Sequence, residues 1–177
     1  GARPRGQANL LGGVRQSSGF NLLAENMATV PVVGLGLGSV AGLGAARLVA
    51  SHYSVLVKDI GAMFVAGPPV VYRAFGREVG KEELGGSRIH ARGSGAVDNE
   101  VGSEDEAFAQ IRQFLSYLPS SVYEVPPRID ATDDPERGEE ALLSVIPRDR
   151  RKVYDTRKLV AYVVDRDSFF EMGRYFG

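Results

Sequence analysis

The chain has 177 residues, 44% of them hydrophobic, which suits one globular domain with a serviceable core. Its 21 basic and 22 acidic side chains nearly cancel, so there is no electrostatic footprint for a nucleic-acid partner. Cysteine is absent, which excludes disulfides and thiolate metal sites and suits a reducing compartment; with His52 and His90 the only histidines, no metal site is expected.

The first residues, Gly1-Ala2-Arg3 onward, contain no apolar core region and no initiating methionine, so they read as a truncated start rather than a signal peptide. From Leu10 to Met27 the positions Leu11, Val14, Leu22 and Leu23 give a loose helical period. No charge falls between Glu25 and Arg47, a stretch long enough by itself to raise a membrane-spanning reading. Pro31 and the glycines Gly34, Gly36, Gly38, Gly42 and Gly44 break that run, and a buried strand, a glycine loop and a helix fit it better, with no membrane partner. The strand is expected over Val30 to Leu35, a helix over Ala41 to Ser51, and a second strand over Ser54 to Val57.

Gly67-Pro68-Pro69 puts prolines where a third helix begins, because early helical positions have no acceptor for an amide. Taken alone, Glu82 to Gly86 reads as a surface turn. Ser103 with Glu106 forms a capping box, followed at helical spacing by Ala107, Phe108, Ile111, Phe114, Leu115 and Leu118 until Pro119. The stretch 120–140 combines prolines with clustered acids and reads as a surface linker, its Asp133, Asp134, Glu136, Glu139 and Glu140 forming a solvated face rather than a metal site. Asp155 caps a short helix with Leu159, Val160, Val163 and Val164. The aromatics Phe169, Phe170, Tyr175 and Phe176 so close to the chain's last residue suggest absent packing partners. His52 and His90 read as packing or surface residues, and Met63 and Phe64 as core.

The glycine loop supports two readings. Gly36, Gly38 and Ala41 satisfy the dinucleotide fingerprint in its G-x-G-x-x-A form, and Asp59 stands where a ribose-binding acid would. A glycine loop leading into a helix start aims amides and a partial positive charge at any anion, so the loop alone does not name its ligand. The helical segment preceding the strand argues against a dinucleotide module.

Several strings occur in one order along the chain. Gly1-Ala2-Arg3 is similar to the end of S-G-G-A-R, and Gly38-Ser39-Val40-Ala41-Gly42 to a G-P-C-A-G-G-A loop. Then come Val57-Lys58-Asp59, Met63 to Pro68, Gly76 to Val79 with Glu82 to Gly86, and Ser94-Gly95 after His90. Phe114 to Pro119 and Ile146 to Asp155 continue the series. Together these resemble the acyl-CoA-binding half of the carboxyltransferase β subunit of biotin-dependent acyl-CoA carboxylases, of the propionyl-CoA and methylcrotonyl-CoA type.

The resemblance implies an α/β, crotonase-like spiral of strand-strand-helix repeats, here incomplete. It implies an acyl-CoA-binding lobe over 1–118, a linker over 119–144, and the start of a C-terminal lobe over 145–177. The implied reaction moves CO2 from carboxybiotin to the carbon next to an acyl-CoA thioester, with propionyl-CoA-like substrates favoured by the stretch 112–119. Biotin travels on a partner subunit or domain acting with biotin carboxylase, and the β subunits form a homo-oligomer. The implied compartment is the cytoplasm of a bacterium or the mitochondrial matrix of a eukaryote.

Motif correspondence makes the amides of Gly1, Ala2, Gly42, Leu43 and Gly44 the thioester oxyanion hole. Gly38, Ala41, Gly67 and Pro68 shape the substrate pocket. The sequence departs from the pattern where Leu43 and Gly44 replace the usual Gly-Ala, where the S-G preceding Gly1 is missing, and in lacking the biotin-binding half, so this piece alone is expected to be inactive. That departure keeps a non-catalytic, truncated assembly partner open as an alternative beside the dinucleotide module. Arg148, Arg150, Arg151 and Lys152 suit either a charged turn or a CoA phosphate contact.

Overall fold

A computed structural model of the chain describes residues 19–131 and 133–176. After α1 (Gly19–Met27), which is the described part of the helix expected from Leu10, the chain makes successive strand-strand-helix turns. The first comprises β1 (Val33–Gly36), β2 (Ser39–Ala41) and α2 (Leu43–Val49); the second comprises β3 (Tyr53–Val57), β4 (Ala62–Phe64) and α3 (Pro68–Phe75). After α4 (Lys81–Gly85) and a π-helical segment, Arg88–Gly93, the third turn contributes β5 (Asn99–Val101) and α5 (Glu104–Ser116).

First strands pair with first strands, in a parallel sheet of order β1-β3-β5, and β2 pairs parallel with β4 in a second sheet. Val33 stands opposite Tyr53 and Ser39 opposite Ala62, so one turn of the spiral stacks on the next in register. The expected α/β spiral is therefore present. Three of its strands are hidden in the sequence: β2 lies inside the glycine loop, β4 inside a run expected to be core and β5 in a stretch with no expected element, each three residues long and too short for any period to register.

All five residues of β3 are buried, as befits a central parallel strand covered on both faces. Ala45 and Leu48 of α2 pack with Leu56, Met63 and Val97 in one core cluster. Gly36 fits because a Cβ there would fall 2.1 Å from the Leu56 side chain. The Glu82 to Gly86 string is no surface turn: Gly85 and Gly86 are buried, and Gly86 bridges to Ala62. A Cβ on Gly85 would lie 2.0 Å from the Met63 carbonyl oxygen, so the closeness of α4 to β4 requires glycine.

Helix α5 starts where expected. Ser103 Oγ accepts the Glu106 amide at 3.2 Å, while Glu106 Oε2 reaches back to the Gly102 amide at 2.7 Å, one residue before the usual partner. Phe114 stacks on Tyr53 with centroids 4.8 Å apart. The Tyr53 hydroxyl donates to Gln110 and accepts from Asn99, both at 2.8 Å. His52 Nδ1 accepts the Val32 amide at 3.1 Å, and His90 Nε2 donates to the Met63 carbonyl at 2.8 Å, so both histidines hold backbone. Among the described residues no helix is long and apolar enough to cross a membrane; the uncharged stretch is shared among α1, β1, β2 and α2.

The chain forms two compact units, one reaching to Pro127 and resuming at Met172, the other Arg128–Glu171. In the first, Tyr175 lies under the Arg92 guanidinium at 4.5 Å and Phe176 packs against Gly95, so these two aromatics do find partners. The second holds α6 (Leu142–Val145) and α7 (Thr156–Val163), the latter capped by Asp155, which accepts the Arg157 amide at 3.0 Å. Its acidic stretch is not uniformly solvated. Arg137 pairs with Asp133 and Glu139 and donates to the carbonyls of Tyr162 and Val164, leaving only 11% of the Asp133 side chain exposed. Asp134, Glu136 and Glu140 remain on the surface.

Candidate active site

The last pair of the small sheet is Ala41 opposite Phe64. Immediately beyond it Gly42 adopts φ 58° and ψ −125°, a backbone region closed to side chains with a Cβ, and donates its amide to the Phe64 carbonyl at 3.0 Å. The Gly42 carbonyl accepts the Ala46 amide at 3.1 Å, and α2 begins at Leu43. Leu43, Gly44 and Ala45 therefore stand ahead of the first intrahelical donor. Ala45 is buried, whereas Leu43 is exposed and Gly44 half-buried.

The neighbouring strand leads, through Val65 and Ala66, to Gly67 and a proline at the first position of α3. The Gly67 carbonyl accepts the Val70 and Val71 amides at 3.0 and 3.3 Å. Two helix starts thus follow the carboxyl ends of two paired parallel strands, the end of an α/β sheet where ligands bind. Of the sequence-expected residues, Ala41, Gly42, Leu43, Gly44, Gly67 and Pro68 gather there. Gly38 lies at the opposite end of β2, its carbonyl accepting the Ala62 amide at 3.1 Å. Gly1 and Ala2 fall outside the described residues. The Gly42 amide is already engaged, so among the described residues Leu43 and Gly44 are the donors this turn leaves available.

This geometry differs from a dinucleotide fingerprint. Gly36 ends β1, but a second strand, β2, separates it from α2, so the glycine loop does not run directly into a helix start. Asp59 sits in the turn after β3 at φ 63° and lines a different, polar cleft.

That cleft, about 350 Å³, carries no signature in the sequence because its residues come from separate segments with no common motif. It holds Lys58, Asp59, Glu82, Arg88, Arg92 and Glu100. The Glu100 side chain is 7% exposed and accepts Arg92 Nε at 2.7 Å. Burial pushes the Glu100 pKa up, but hydrogen bonds from Arg92 and Ser87 and the charges of Arg92 and Lys58 outweigh it, leaving the pKa below the ordinary carboxylate value. Elsewhere an apolar cavity of about 370 Å³ is lined by Met27, Val30, Pro31, His52, Phe114 and Leu118, among others.

A parallel strand-strand-helix spiral with backbone amides presented at its strand ends defines a crotonase-like α/β protein. The 12S core of transcarboxylase, solved with hydrolysed methylmalonyl-coenzyme A bound, superposes with a TM-score of 0.82 at 25% identity, over 89% of this chain and 31% of that one. Residues 9–177 match the carboxyl transferase domain family, and the chain belongs to that family. The carboxyltransferase subunit of propionyl-CoA carboxylase from Haloferax mediterranei is 34% identical over 167 residues, 92% of this chain and 32% of the relative. The methylmalonyl-CoA decarboxylase subunit alpha of Veillonella parvula is 33% identical over 147 residues, 83% of this chain and 29% of the relative. The chain spans about a third of the length of the relatives it matches.

Proposed function

We propose that this chain is the acyl-CoA-binding part of a carboxyltransferase β-type subunit of a biotin-dependent acyl-CoA carboxylase, with propionyl-CoA-like acceptors favoured. Residues 1–118 make up the acyl-CoA lobe, 119–144 the linker and 145–177 the start of the second lobe. The observation that carries the reading is the Gly42 turn. Its positive φ and its bond to Phe64 hold the Leu43 and Gly44 amides free beside the start of α3.

Carboxylation next to a thioester carbonyl passes through an enolate, whose charge develops on the thioester oxygen. Fixed amides at a helix start meet that charge without reorganising, and removing one such donor costs roughly 100- to 1000-fold in rate. Leu43 and Gly44 supply donors, and motif correspondence assigns the same role to Gly1 and Ala2. Gly67 and Gly38 leave room for the ligand: a Cβ at Gly67 would only touch the Phe64 ring at 3.7 Å, and one at Gly38 would meet nothing within 4 Å. Neither glycine is demanded by the fold, which supports a role in close approach of substrate. Ala41 and Pro68 complete the walls. The uncharged, amide-lined turn fits a neutral carbonyl; biotin, carried by a partner acting with biotin carboxylase, supplies the CO2. The β subunits are expected to assemble with one another, in a bacterial cytoplasm or a mitochondrial matrix.

Titration of the purified protein with propionyl-CoA and with NAD tests the assignment. Thioester binding without NAD binding, retained in Asp59→Ala, is the expected result; NAD binding lost in that variant would reverse it. A second reading, a non-catalytic assembly partner, is favoured by the engaged Gly42 amide and by Leu43 in place of glycine. Robust carboxylation by the protein with its biotin-carrying partner removes that reading.

A further inference from the structure

The two edges of β4 are held by different means. Toward β2, the Ala62 amide donates to the Gly38 carbonyl at 3.1 Å and the Phe64 carbonyl accepts the Gly42 amide at 3.0 Å. Backbone groups alternate in direction along a strand, so the Met63 carbonyl between them faces away from β2. There it meets the His90 imidazole, whose Nε2–H donates to it at 2.8 Å. Gly85 leaves that oxygen open, since a Cβ on it would lie 2.0 Å away. His90 itself sits in the π-helical segment Arg88–Gly93, where the Ser94 amide bonds back to the Ile89 carbonyl at 2.9 Å. Such segments are rare and recur at functional sites. The Val97 amide holds the His90 carbonyl at 3.1 Å, so the histidine backbone is fixed as well.

We infer that His90 is a positioning residue for the proposed thioester site, on which this reading rests: it aims the Leu43 and Gly44 amides through Met63, Phe64 and Gly42. The Met63 carbonyl and the Phe64 amide belong to one planar peptide unit, so a bond that fixes the first constrains the tilt of the second. That tilt sets how Phe64 offers its own carbonyl to the Gly42 amide, and Gly42 leads directly into the two donors. Without the imidazole, the outer edge of β4 loses its side-chain tether and the Gly42 turn loses a fixed anchor. Donors that must hold a carbonyl oxygen in one place are sensitive to such small displacements.

The test compares propionyl-CoA with S-propyl-CoA, a thioether of the same length that lacks the carbonyl, as ligands of the purified protein and of His90→Phe and His90→Gln. The wild-type protein should prefer the thioester by about tenfold, the worth of two neutral hydrogen bonds. His90→Phe keeps a flat ring without a donor and should lower that preference to about twofold, with thioether affinity unchanged. His90→Gln restores an N–H at similar reach and should recover most of the preference. A purely structural histidine would weaken both ligands alike; that result, or a preference intact in His90→Phe, overturns the inference and leaves the thioester site standing. No preference in the wild-type protein overturns both. Should His90→Phe fail to fold, the His90 Nε2 proton resonance of the wild-type protein decides. It should shift on binding propionyl-CoA and stay in place with the thioether, and a resonance that responds alike to the two ligands sinks the proposal.

Discussion

Two regions of the first unit use glycine for opposite reasons. Along the seam where α4 meets β4, Gly85 is glycine because the protein itself leaves no room: a Cβ would strike the Met63 carbonyl at 2.0 Å and the Phe64 ring at 2.7 Å. At the start of β2 and just beyond β4, Gly38 and Gly67 have space for a methyl group and backbone angles any residue adopts, so the protein gains nothing from their smallness. Gly42 stands between the cases, with space for a Cβ but a conformation that forbids one. Glycine that packing requires marks architecture, and glycine that packing does not require points to something approaching from outside.

The contrast breaks most easily at its buried end. Gly85→Ala should destabilise the protein by about 3 kcal/mol or more, because the colliding atom is backbone and cannot swing away; an unchanged denaturant midpoint would mean the seam is looser than described. Gly42→Ala should cost about 1–3 kcal/mol through backbone strain alone, and it should weaken thioester binding by displacing the Leu43 and Gly44 amides. Tyr53→Phe should cost about 1 kcal/mol, since Asn99 retains Gln110 at 3.4 Å as a partner.

Burial raises the Tyr53 pKa from 10.0 to about 12, Asp98 adding to the shift and the Asn99 hydrogen bond opposing it. The folded value lies above the unfolded one, so this contribution to stability is complete below pH 10 and is lost as pH rises through 12. Alkaline denaturation curves of the wild-type and Tyr53→Phe proteins should therefore converge over that interval. Gly38→Ala sharpens the comparison with the smallest effect on folding, within about 0.5 kcal/mol. Reduced thioester affinity in that variant would assign the glycine to the ligand, and full affinity would return it to the scaffold.

Some of this was legible beforehand. Helix α5 announces itself through the Ser103 cap and apolar residues at helical spacing, and β3 through a continuous apolar run. The start of α3 is written in Pro68 and Pro69. Strands β2, β4 and β5 were not legible, because three residues exist as strand only through the neighbour that supplies their hydrogen bonds. The same holds for Arg92 with Glu100 and for Arg137 with Asp133, where an acidic run read as solvated face turns out to hold a half-buried ionic knot.

By itself, the order of residues determined the periodic helices, the central strand, the uncharged stretch between Glu25 and Arg47 and the family to which the chain belongs. These are properties of local patterning and composition, and they survive in a linear string. Tertiary structure alone decided that the glycine run contains a strand, that the Gly42 amide is spent on Phe64 while those of Leu43 and Gly44 are left over, and that Gly85 and Gly38 are glycines of different kinds. Those are facts about which backbone groups meet across a distance, and no stretch of sequence contains both partners.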